Sequence, residues 1–133
     1  MKALIGLLTA GFLILLSQHV HAGSTTPTKQ IDTLISLSGK PPRSSSGREF
    51  FTIKHGRDWS CSSCHTADPT TVGQHVRSGK MIPPMAPAVN PERFTDTVKT
   101  EKWFHRDCHD VLGRECTPEE KSDVLAWILN LNT

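Results

Sequence analysis

The chain has 133 residues, with 15 Lys and Arg against 13 Asp and Glu and a formal net charge of +2. So even a balance argues against nucleic acid as a partner, and the length fits a single domain. A domain of this size buries roughly two thirds of its unfolded surface, a marginal amount without a staple or a cofactor.

The first element in chain order is an export signal. Lys2 gives a short positive start, an apolar run follows from Ala3 to Leu16, and Val20-His21-Ala22 offers a small-residue cleavage site. The run is shorter than the roughly 20 residues of a spanning helix, so cleavage is expected rather than an uncleaved anchor. Residues 1–22 are therefore read as a signal peptide and 23–133 as the mature domain. Its compartment is the periplasm, where disulfides persist.

Residues 23–29 read as a loose terminus. Ile31, Leu34 and Ile35 then recur at helical spacing, with Leu37 nearby and Gly39 and Pro41 as stop signals. Lys40 to Gly47 reads as a polar turn region, followed by a second helix over "REFFTIKHG" that must end near Gly56. After residue 65 the stretch to Pro91 holds five prolines and two glycines, so long elements are not expected there. A loop of this length in a small domain usually lines a site. Asn90-Pro91 predicts a further turn of helix, with Asn90 as cap. Asp96 onward predicts a helix with Val98 and Trp103 facing inward. Thr117, Pro118 and Glu120 form the signature of a capping box ahead of a last helix with a broad apolar face. No segment alternates with period two, so the expected class is all-α: four or five short helices joined by long loops.

Between the second helix and the proline-rich stretch stands "CSSCH", Cys61 to His65. Two cysteines at this spacing can bond to the two vinyl groups of a haem, and the adjacent imidazole can reach the iron. Cys61 and Cys64 are thus candidate thioether anchors for one haem c, and His65 the candidate proximal ligand. Trp59 hints at a thioredoxin-like pair, but no strand or βαβ context precedes it. A zinc site would need two more ligands, and Cys108 and Cys116 have the wrong spacing. A non-haem thiol–disulfide protein remains the alternative. Phe50, Phe51, Phe94, Trp103 and Trp127 are candidates to pack on the haem or in the core.

With these motifs in view, the chain resembles class I cytochromes c. More narrowly, it is similar to the sphaeroides haem protein family, exported oxygen-binding monohaem cytochromes c. The resemblance rests on "CSSCH", "RSGKMIPPMAP", "PERFTD", "EKWFHRDC" and "GRECTPEEKSDVLAW", and covers most of residues 59–128. It implies a class I cytochrome c-like fold wrapped around one covalent haem. It also implies a disulfide between Cys108 and Cys116. On one straight helix these would lie about 12 Å apart, too far to bond, so the chain must turn between them, and Gly113 is placed to allow it.

In that family the distal ligand is an asparagine directly before the first of the two cysteines. Here that position is Asp107. Imidazole is the stronger ligand, so His109 is placed first among the distal candidates, then Asp107, then Met85 in "IPPMAP", with His105 behind them. The choice decides the function. A strong ligand gives a six-coordinate electron carrier between periplasmic partners. A weak one gives a haem protein that binds oxygen or nitric oxide, or reduces a small substrate. The expectation is electron transfer, with diatomic ligand binding open to it. No catalytic residue is assigned, and a carrier or ligand-binding protein is expected rather than an enzyme. The resemblance implies a dihaem cytochrome c or a membrane cytochrome b as redox partner, and the chain is expected to be a monomer.

Overall fold

The computed structural model describes residues 23–132 of the chain; the expected signal peptide lies outside them. Five helices and one minimal hairpin make up the described part: α1 (Pro27–Ser38), α2 (Ser44–Thr52), α3 (Ser62–His65), β1 (Gly73–Gln74), β2 (Met81–Ile82), α4 (Thr97–Leu112) and α5 (Pro118–Leu129). The class is all-α, as the patterning predicts. No described helix is long and apolar enough to cross a membrane.

α1 begins earlier than predicted. Thr26 accepts a hydrogen bond from the Lys29 N–H and Pro27 takes the first helical position, so the presumed loose terminus is partly helix. It stops at Gly39, whose left-handed backbone (φ 68°) closes the last turn onto the Ile35 carbonyl. α2 also starts early, at Ser44, inside the predicted turn region. The cause is tertiary. Buried Asp123 of α5 accepts the Arg43 backbone N–H at 2.6 Å, placing a carboxylate at the N-terminus of α2.

α5 packs against both α1 and α2 and forms the centre of the core. Phe51, Leu125 and Ile128 are fully buried, with Leu34, Phe94 and Val124 around them. The Phe51 and Trp127 rings meet at 5.1 Å. α2 and α5 approach so closely that a Cβ at Gly47 would overlap the Asp123 carbonyl oxygen. The capping box of α5 forms as predicted: Thr117 Oγ1 accepts from the Glu120 N–H, and Glu120 accepts from the Thr117 N–H.

Two expectations fail locally. Asn90-Pro91 opens turns rather than helix, because the Asn90 side chain donates to the Pro84 carbonyl oxygen instead of capping. The chain then passes through Phe94 in a left-handed conformation (φ 60°), held by a buried bond from Gln30 Nε2 to the Phe94 carbonyl oxygen at 2.7 Å. Val98 is 65 % exposed rather than inward. The inward stripe of α4 runs through Thr100, Trp103, Phe104, Asp107, Cys108 and Val111.

α4 makes only sparse backbone contact with the other helices. Its far end is tied down instead. Gly113 caps it in a left-handed conformation (φ 74°), the Arg57 guanidinium lies against Gly113, and Cys108 is joined to Cys116 with Cα atoms 5.6 Å apart. The turn at Gly113 is the one that the cysteine spacing requires.

Candidate haem site

α3 is a single turn. The Cys64 and His65 N–H groups both donate to the Cys61 carbonyl oxygen, at 3.2 and 3.0 Å. Residues three and four apart share a helix face, so one turn can present both thiols and the imidazole together. Three serines fix its start: the Ser60 N–H donates to Ser63 Oγ at 3.0 Å, and the Ser60 hydroxyl meets Ser62 Oγ at 2.8 Å. The turn ends at Thr66, whose φ of 63° is uncommon for a residue with a side chain. Behind it, a Cβ at Gly73 would overlap the Cys64 carbonyl oxygen, so β1 backs directly onto the turn.

In front of the turn lies a cleft of about 290 Å³. Cys61, Phe50, Phe51 and Phe94 line one side. Trp103, Phe104, Asp107 and Cys108 of α4 line the other, and residues 75–85 of the proline-rich stretch border it. The stretch is braced: Arg93 donates from Nε to the Pro84 carbonyl oxygen at 2.9 Å and from Nη2 to that of Pro83 at 2.8 Å, while its guanidinium lies 4.8 Å from the Trp103 ring centre. Apolar walls with a few convergent polar groups are the usual form of a cofactor site.

Two side chains face each other across the cleft: His65 Nε2 stands 3.7 Å from Asp107 Oδ2. The other carboxylate oxygen, Oδ1, accepts from Arg106 Nε at 2.7 Å. Burial pushes the Asp107 carboxyl upward, but the His65 and Arg106 contacts outweigh it and hold the group below its ordinary range. Burial, and then the Asp107 charge, push the Cys61 thiol up to about 12.

Of the remaining distal candidates, one borders the cleft and two do not. Met85 lines the cleft, its N–H bonded to the Pro69 carbonyl oxygen at 2.9 Å. His109 and His105 do not line it. Two residues along a helix turn about 200°, so with Asp107 inward both histidines face outward. There they share Glu115, and His109 Nε2 lies 3.1 Å from Glu115 Oε1. Spacing along α4 carries this result. Asp107 sits i+4 from Trp103 and i+3 from Phe104, and only its charge hides it among inward positions. Arg93 and Arg106 are also part of the site, though nothing in their sequence surroundings marks them.

The family described as a domain of unknown function, DUF1924, matches residues 38–128. Over 124 residues the chain is 44 % identical to the cytochrome c-type protein SHP of Cereibacter sphaeroides, covering 88 % of this chain and 95 % of that protein. The chain belongs to this family of haem c cytochromes. Cytochrome c'' of Methylophilus methylotrophus is 40 % identical over 130 residues, 90 % of each chain. The folds agree. The structure of oxidised SHP, an oxygen-binding cytochrome c, superposes with a TM-score of 0.75 at 44 % identity, over 80 % of this chain and 97 % of that one. Oxidised cytochrome c'' gives 0.71 at 38 % identity, over 80 % and 95 %. A solution structure of the same cytochrome c'', concerned with haem-ligand detachment, gives 0.69 at 38 % identity, over 80 % and 94 %.

The cofactor of this family is a single covalently attached haem c, and the residues present fit it. Cys61 and Cys64 are free thiols rather than a pair bonded to each other. The kinship to haem c cytochromes over nearly the whole chain sets the thiol–disulfide alternative aside. His65 and Asp107 stand close enough that both could serve one metal ion held between them.

Proposed function

We propose that the chain is an exported, periplasmic monohaem cytochrome c that transfers electrons and binds oxygen or nitric oxide at a distal position held by Asp107. The observation that carries this reading is the facing pair of His65 Nε2 and Asp107 Oδ2 at 3.7 Å. Cys61 and Cys64 are the thioether anchors, His65 the proximal ligand, and Cys108–Cys116 the disulfide that fixes the end of the distal helix. When bound, the haem supplies an iron that changes oxidation state and accepts a further ligand. The chain's own residues decide which of these uses prevails.

Asp107 is a weak ligand by design of its surroundings. Arg106 holds Oδ1 and draws charge from the carboxylate, leaving Oδ2 directed at His65. A carboxylate so engaged has a ready alternative partner when it leaves the metal. The likeness to SHP, an oxygen-binding cytochrome c, and to cytochrome c'', studied for haem-ligand detachment, supports a labile distal bond. The aromatic walls make the site apolar, which would tune a bound iron. Lys80 at the cleft supplies positive charge towards an acidic redox partner, for which a dihaem cytochrome c or a membrane cytochrome b is the expected kind.

Absorption spectra with carbon monoxide test the assignment. The ferrous protein is expected to bind carbon monoxide rapidly, and Asp107→His to slow that reaction on the order of tenfold or more, since imidazole is the stronger ligand. Asp107→Ala is expected to change the ferric spectrum and His109→Ala to leave it intact. The opposite pattern, or a wild-type ferrous protein inert to carbon monoxide, overturns the Asp107 assignment.

A further inference from the structure

The outer face of α4 carries a second constellation that the haem site does not use. His105 and His109 stand one turn apart, with ring centres 4.8 Å from each other. Glu115 reaches back to both from beyond Gly113: its Oε1 meets His105 Nδ1 and lies 3.1 Å from His109 Nε2. One candidate ligand atom from each of the three residues falls within 4.8 Å of the others, and all three residues are exposed.

We propose that His105, His109 and Glu115 form a binding site for a divalent transition-metal ion of borderline softness, Zn²⁺, Ni²⁺ or Cu²⁺. Two imidazoles at i and i+4 on one helix face are a chelating pair, and a carboxylate completes an N,N,O set that suits these ions over Mg²⁺ or Ca²⁺. Exposure leaves the remaining coordination positions to water.

The third ligand is pre-positioned, which separates this cluster from histidines scattered on a surface. The Gly113 N–H bonds to the His109 carbonyl oxygen at 3.1 Å, closing α4 immediately before Glu115. Arg114 is anchored by both its terminal nitrogens on the Glu120 carboxylate, at 2.9 and 2.7 Å. Cys116 is joined to Cys108. The backbone is therefore tied on each side of Glu115, and little ordering entropy remains to oppose chelation. Both imidazoles already point at one carboxylate oxygen, so a cation needs the three groups only to part to bonding distance. A bound ion bridges α4 to the segment after Gly113, in parallel with the disulfide.

The test is calorimetric titration of the haem-loaded, untagged protein with Zn²⁺, repeated with Mg²⁺. One Zn²⁺ per chain is expected, with no matching Mg²⁺ binding. His109→Ala and Glu115→Gln are each expected to weaken Zn²⁺ by at least about tenfold, while His55→Ala, at a histidine bonded to the Phe50 carbonyl oxygen and not part of the cluster, leaves it unchanged. Thermal unfolding gives a second reading: saturating Zn²⁺ raises the midpoint of the wild type and not that of His105→Ala/His109→Ala. Absence of Zn²⁺ binding at millimolar concentration, or binding that survives both His109→Ala and Glu115→Gln, overturns the proposal. The haem spectrum of each variant, expected to match wild type, keeps this outcome separate from any failure at Asp107.

Discussion

The two sides of the cleft are built by different rules. α1 and α2 each pack directly on α5, and Phe51, Leu125 and Ile128 are buried in that core. α4 faces them across the cleft with little backbone contact, and is held by a disulfide, by Arg57 against Gly113 and by its own caps. The first side is stabilised by its own packing. The second presents Trp103 and Phe104 to the cleft, so the burial of those rings depends on the cofactor. If Asp107 is the distal ligand, as proposed, stability and ligand release would fall to separate helices.

The sharpest way to break this division is to push α2 off α5. Gly47→Val places branched carbons where the Asp123 backbone already stands, and is expected to cost about 3 kcal/mol or more. Chemical denaturation of the haem-loaded protein measures it. A loss below about 1 kcal/mol would mean that the two helices slide apart easily and that the core is not the rigid side.

The disulfide comes next in size. Cys108→Ser/Cys116→Ser removes a crosslink over a short loop, worth about 2–3 kcal/mol in the chain-entropy model. Because the link belongs to the α4 side, the ferrous protein should also bind carbon monoxide faster. A stability loss with an unchanged rate would confine the disulfide to a structural role.

The smallest effect is a pH dependence at the junction between the sides, where α5 begins. The Arg114 hydrogen bond, opposed by burial and aided by the capping bonds, holds Glu120 below its ordinary value of 4.5. With the folded value lower than the unfolded one, its contribution is complete above 4.5 and is lost as pH falls through the folded value. Glu120→Gln keeps an acceptor for the cap but removes the charge, and should cost about 0.5 kcal/mol at neutral pH, fading at low pH. Thermal midpoints of both proteins between neutral and acid pH check the sign. A difference that grows on acidification would reverse it.

How much of this was legible beforehand depended on whether the signal was local. The haem motif is a fixed spacing on one turn, and the start of α5 is a cap whose partners lie three residues apart, so both could be read directly. The all-α class followed from helical periodicity. The start of α2 was hidden because its N-terminus is stabilised by Asp123, far along the chain, and Gly47 gives no sign of its packing role without α5 beside it. The direction of α4 was legible but was misread at Val98, an apolar residue that faces water. Weighing ligand strength alone put His109 ahead of Asp107. Helical spacing from Trp103 and Phe104 favours the carboxylate, and residue type pulled against that geometry.

The Arg57 guanidinium resting on Gly113 joins the segment that leads into Cys61 to the carboxyl-terminal tip of α4. A cation suits that tip, where helix carbonyls gather negative potential. It links the segment before the CSSCH turn to the end of α4, like a clasp on a locket. On the proposed reading, an outward swing of α4 that frees the Asp107 carboxylate would have to release this clasp or carry it along. Ionic strength, which weakens exposed electrostatic contacts, would then adjust how readily the lid lifts.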